Sequence, residues 1–107
     1  MSEVIRKKYC VGGEWKESKT EKWLPVTDSS TGELIAEVPC CTQDELLEAI
    51  DAADKAFPEW SQMSLSKRTQ MMFNWRNILV AHLDELTFLC AKELGKTLNE
   101  AKGDVLK

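Results

Sequence analysis

Glu33-Leu34-Ile35-Ala36-Glu37-Val38-Pro39-Cys40-Cys41-Thr42-Gln43-Asp44-Glu45-Leu46-Leu47-Glu48-Ala49-Ile50 is the stretch in which the hydrophobic period of this chain changes. Up to Val38 it reads as a short strand, closed by Pro39. From Thr42 onward the period is helical. Leu46, Ile50, Ala53 and Phe57 fall on one face of a helix, and Thr42 with Glu45 forms a capping box that starts it. Pro58 is expected to end that helix. Strands before the switch and helices after it predict an α+β chain, with β-hairpins over about residues 8–39 and a helical layer over about 42–107.

Toward the N-terminus, Tyr9-Cys10-Val11 and Glu14-Trp15-Lys16 flank Gly12-Gly13, a two-residue hairpin signal. A second extended run, Trp23 to Thr27, contains Pro25, which favours a sheet edge. The cluster Asp28-Ser29-Ser30-Thr31-Gly32 is a turn leading into the strand at Glu33. Two hairpins in series are therefore expected. Toward the C-terminus, Ser64 is a candidate N-cap. Arg68, Met72, Trp75, Leu79, Leu83 and Leu86 carry a mostly apolar stripe, with a candidate break at His82-Leu83-Asp84. Met72 and Trp75 read as core residues. Gly95 suits a helix terminator, and Thr97 with Glu100 repeats the capping box. The last helix has barely three turns, and the chain stops at Lys107 with no terminator, so a piece of a longer protein is expected.

With 107 residues, 43% hydrophobic and 30% charged, the composition is that of a soluble globular chain. The formal net charge of -4 offers no footprint for nucleic acid or an anionic membrane. The longest basic run, Arg6-Lys7-Lys8, reads as a solvated strand edge. No apolar run approaches the roughly 20 residues needed to span a bilayer. Charges at Glu3, Arg6, Lys7 and Lys8 leave no signal-peptide core, so a cytoplasmic location is expected.

Residues that could do chemistry are few. The cysteines are Cys10, Cys40, Cys41 and Cys90. None forms a C-x-x-C pair, and they read as reduced, partly buried thiols. A nucleophilic cysteine needs a base, and the single histidine, His82, reads as a helix-surface or helix-end residue. Asp44, Glu45, Glu48, Asp51 and Asp54 read as a solvated helix face. Gly12-Gly13 leads into no helix, and Gly95-Lys96-Thr97 lacks the glycine-rich loop and preceding strand of a phosphate cradle. No catalytic or cofactor-binding residue is therefore assigned, and the chain alone is expected to be inactive. Its apolar helical layer exceeds what two short hairpins can cover, so self-association is expected.

The order of the motifs resembles the opening of the aldehyde dehydrogenase superfamily. The resemblance rests on Val11-Gly12-Gly13-Glu14-Trp15, Asp28 to Ile35, Val38-Pro39, Ala56-Phe57-Pro58-Glu59-Trp60, Arg68, and Glu93-Leu94-Gly95-Lys96-Thr97-Leu98, in family order and spacing. It runs from about Tyr9 to Lys107. Asp28 and Ser29 stand where the family has Asn and Pro. Gly95 to Leu98, followed by Glu100-Ala101 and Gly103-Asp104-Val105, is most similar to the coenzyme A-acylating branch, the methylmalonate-semialdehyde dehydrogenases.

The resemblance implies an α/β parent enzyme with a Rossmann-like NAD domain, of which this chain is the first segment. The Rossmann strands, the catalytic cysteine and its oxyanion donor would all follow Lys107. The parent would be a homotetramer or homodimer acting on a small semialdehyde. A cysteine thiolate would add to the aldehyde carbon, hydride would pass to NAD, and coenzyme A would take the acyl group from the resulting thioester. Methylmalonate semialdehyde would lose carbon dioxide and give propionyl-coenzyme A; malonate semialdehyde would give acetyl-coenzyme A. Carbonyls of Val26 and Thr27 with the carboxylate of Glu93 would correspond to the family's monovalent-cation site; alternatively Glu93 is a helix-end carboxylate bonded to protein or water. Lys107 stands where the branch often has an Arg that holds the substrate carboxylate. Lys keeps that charge but loses the bidentate fork, and the alternative is a flexible surface residue. Competing readings are another member such as succinate-semialdehyde dehydrogenase, a stand-alone interaction module, or a complete small enzyme.

Overall fold

The structure is a computed structural model that describes residues 4–107; Glu3, which entered the reading of the N-terminus, lies outside them. Strands β1 (Ile5–Arg6), β2 (Tyr9–Val11), β3 (Glu14–Lys16), β4 (Trp23–Thr27) and β5 (Leu34–Pro39) precede helices α1 (Gln43–Gln62), α2 (Leu65–Ala81), α3 (Leu83–Leu94) and α4 (Leu98–Leu106). These elements group into two compact units. One takes the described residues up to Val26 with Leu34–Gln62, and the other takes Thr27–Glu33 with Met63–Lys107.

In the first unit, β2 and β3 pair antiparallel, with Val11 opposite Glu14 and Tyr9 opposite Lys16. Gly12 and Gly13 both have positive φ, 61° and 80°. That is what a two-residue turn matched to strand twist demands, and only glycine supplies it twice without strain. The second sheet has the order β1-β5-β4, which puts β4 and its Pro25 at an edge as expected. The two expected hairpins are joined by one strand the sequence did not announce. β1 pairs parallel with β5, Ile5 opposite Ala36; two residues are too few for alternation to show. Ala36, on β5, is the buried apolar residue of this unit.

Helix α1 starts as expected. The amide of Glu45 donates to Thr42 Oγ1 at 3.2 Å, and the amide of Thr42 donates to Glu45 Oε1 at 2.9 Å. Its end differs from the sequence expectation, because Pro58 lies inside the helix, which continues to Gln62. A proline near a helix end removes one hydrogen bond, here to the carbonyl of Asp54. Asp54 itself is an exposed residue. The helix stops instead where Ser64 takes extended backbone (ψ 150°) to cap α2, accepting from the amide of Lys67. A second difference concerns which face turns inward. Leu46, Ile50 and Phe57 are exposed, whereas Thr42, Glu45, Ala49 and Ala52 are half-buried or buried.

In the second unit, the helical pattern breaks at His82, as the sequence signalled. Its amide donates to the carbonyls of Ile78 and Leu79, and its carbonyl starts α3 by accepting from Leu86. Gly95 ends α3 with φ 73°, its amide donating to Ala91. Thr97 and Glu100 form the capping box of α4. Helices α3 and α4 pack on each other, and Ala101 of α4 is fully buried. The expectation that Met72 and Trp75 are core is not met, for both are exposed, as are Met71, Phe73, Ile78 and Val80. Helix α2 mixes exposed apolar residues with polar ones such as Lys67, Asn74 and Arg76, and α3 contacts it. No helix of the described residues is long and apolar enough to cross a membrane.

Candidate functional site

The turn after β4 docks on the end of α3, both lying in the second unit. Asp28 organises the turn. Its carboxylate accepts from the amide of Ser30 at 2.8 Å, and its carbonyl accepts from Gly32 at 2.7 Å. Ser29 then reaches the end of α3 twice. Its amide donates to the carbonyl of Lys92 at 3.2 Å, and its hydroxyl donates to the carbonyl of Glu93. The final carbonyls of a helix have no partner within it, so this one residue satisfies two of them. Gly95 completes the fit. A Cβ there would lie 3.3 Å from Cβ of Ser29, so both its φ and its lack of a side chain are used. The motifs around Asp28 and Glu93, more than sixty residues apart in the chain, thus meet.

Of the residues carried over as cation ligands, Val26 and Thr27 end β4 and Glu93 sits in the last turn of α3. The turn engages the backbone carbonyl of Glu93, and its side chain is on an exposed residue. Among the described residues, no group of three or more His, Cys, Asp or Glu is arranged to hold a metal ion. Lys107 caps α4, with Nζ 3.5 Å from Asp104 Oδ1. Asp104 also accepts from Lys96, and these cations hold its carboxyl below the usual range while Lys96 is raised. An open cleft of about 250 Å³ lies beside Lys107, walled by Leu79, Val80, Leu83, Val105 and Leu106, with Arg76 also lining it. Such a cleft combines an apolar wall with cationic groups, the complement of a small carboxylate.

The thiols are free, but the expectation that they are partly buried holds only for Cys40 and Cys90; Cys10 and Cys41 are exposed. His82 Nδ1 lies 3.2 Å from Glu85 Oε2 on the helix surface.

Glu45 departs most from its sequence reading. It is not on a solvated face but is 8% exposed. Oε1 accepts from the hydroxyl of Ser18 at 2.6 Å and from the amide of Thr42 at 2.9 Å, and Oε2 accepts from the amide of Lys19 at 2.9 Å. These donors, Ser18 first, pull its carboxyl down to about 2. The only sequence signal was the capping box; that a strand-to-strand segment would bring two further donors has no local signature.

A model of the aldehyde dehydrogenase family matches residues 15–107. The chain belongs to that family. It is 40% identical over 105 residues to a malonate-semialdehyde dehydrogenase of Listeria monocytogenes serotype 4a, covering 98% of this chain and 22% of the relative. It is 39% identical over 100 residues to a probable acylating, mitochondrial methylmalonate-semialdehyde/malonate-semialdehyde dehydrogenase of Dictyostelium discoideum, covering 94% and 19% respectively. Among solved structures, succinate-semialdehyde dehydrogenase from Burkholderia pseudomallei matches with a TM-score of 0.85 and 32% identity, over 94% of this chain and 21% of that one. The chain therefore spans about a fifth of the length of the curated relatives it matches, and the strands and helices above correspond to the first segment of an aldehyde dehydrogenase fold.

Proposed function

We infer that this chain is the N-terminal portion of an NAD-dependent semialdehyde dehydrogenase acting on malonate or methylmalonate semialdehyde. The parent enzyme converts them to acetyl- or propionyl-coenzyme A through a cysteine thioester, with hydride passing to NAD and the carboxylate lost as carbon dioxide. The observation that carries this is the 40% identity, across nearly the whole chain, to a malonate-semialdehyde dehydrogenase. The described residues do not themselves fit a dinucleotide. Gly12-Gly13 is the turn of a hairpin, and Gly95 ends a helix, whereas a pyrophosphate needs a glycine turn that opens one. No step of nicotinamide or coenzyme A chemistry is assigned to this chain. Its role is structural support for the parent. The cation assignment to Val26, Thr27 and Glu93, and the substrate-carboxylate assignment to Lys107, rest on the family resemblance.

The test uses the parent protein with NAD or NADP, with and without coenzyme A. Malonate, methylmalonate and succinate semialdehydes are each supplied, following reduced nicotinamide by absorbance and acyl-coenzyme A by mass spectrometry. Coenzyme A-dependent turnover of the first two is expected. Turnover of succinate semialdehyde without coenzyme A would favour the second reading, which the similarity to a succinate-semialdehyde dehydrogenase supports. The 107-residue chain alone is expected to give no reduced nicotinamide above blank.

A further inference from the structure

Residues 17–22 cross from β3 to β4 and have no strand or helix of their own. They are nonetheless tied down along their length. Lys16, at their start, donates to Glu48 of α1. Ser18 and Lys19 donate to the buried carboxylate of Glu45. Lys22, at their end, accepts from the amide of Cys40 at 2.9 Å. Within the segment, Ser18 Oγ also accepts from the amide of Thr20, and the carbonyl of Thr20 accepts from Trp23 Nε1.

We propose that residues 17–22 are a strap clasped to the N-terminus of α1 by the ionised Glu45, and that neutralising this one carboxylate releases the strap while the sheet and α1 stay folded. The amides of Lys19 and Thr42 can only donate, and they reach different oxygens of Glu45, so an amide side chain would place a hydrogen against one of them. Loss of the charge also weakens all three bonds, because hydrogen bonds to an ionised acceptor are the stronger ones. Tyr9 of the first hairpin feels the charge of Glu45, and Tyr9 is in turn near Lys16, Glu48 of α1 and Cys41. Glu48 is engaged by Lys16, and Glu45 is the α1 residue to which Ser18 and Lys19 bond. The end ties, through Lys16 and Cys40, do not involve Glu45 and act as hinges.

Amide exchange on the intact 107-residue chain tests this. In Glu45→Gln, the amide of Lys19 is expected to lose protection by about tenfold or more, a local opening, while amides in β5 and mid-α1 keep theirs. Unchanged protection at Lys19 overturns the proposal, and so does equal loss throughout α1 and β5, which would make Glu45 a global stabiliser. Should Glu45→Gln fail to fold, Ser18→Ala removes one donor to Glu45 and also the acceptor of the Thr20 amide, so the selective loss is expected and read at the amide of Lys19. Protection at that amide equal to that of the parent chain would overturn it.

Discussion

Single residues carry the sharpest consequences. Gly95 has φ 73°, and a Cβ added to it would lie 3.3 Å from Cβ of Ser29, so Gly95→Ala meets both a backbone penalty and a crowded neighbour. It is expected to destabilise the chain by more than about 1 kcal/mol in urea unfolding. Ser29→Ala removes the hydroxyl that serves the carbonyl of Glu93, with an expected cost of about 1 kcal/mol. Glu45 makes stability pH-dependent. Its carboxyl ordinarily titrates at 4.5 and is held at about 2 in the folded chain. A depressed folded value means that its contribution is complete above pH 4.5 and fades as pH falls from there toward 2. Unfolding midpoints measured from pH 6 to pH 2 should decline across that window, and Glu45→Gln should flatten the decline. An equally steep decline in the variant would assign the effect to other carboxylates.

At the scale of elements, helix starts were legible and one helix end was not. Starts depend on side chains that bond to amides three residues away, so Thr42, Ser64 and Thr97 announce themselves, and all three cap as expected. Thr42→Ala should therefore cost about 1 kcal/mol. The effect of Pro58 depends on where along the helix it falls and on what its orphaned carbonyl faces, neither of which is a local property. With α1 continuing through it, Pro58→Ala restores a backbone donor. It is expected to stabilise the chain by on the order of 1 kcal/mol and to raise helical circular dichroism. A destabilised variant would show that the proline is needed for the passage from α1 to α2.

For the whole chain, the described structure buries little apolar side-chain surface and leaves Phe57, Met72, Phe73, Trp75, Ile78 and Phe88 exposed. Patches of that kind drive association. The isolated chain is expected to brighten an environment-sensitive apolar dye and to sediment as species larger than a monomer. A dye-silent monomer would mean that α2 finds cover by rearranging, and would contradict the exposed helix described above.

The sequence by itself determined the order of strands and helices, the Gly12-Gly13 turn, the capping boxes, the break at His82, the stop at Gly95 and the family. Each of these depends on residues within a few positions of one another, or on motifs in linear order. Only the tertiary structure decided that Glu45 is a buried clasp, that Ser29 finishes α3, that β1 joins β5, and that the apolar stripe of α1 faces outward. The bonded partners among them lie from 26 to 64 residues away. Periodicity shows that a helix has an apolar and a polar face, but not which face its neighbours will cover.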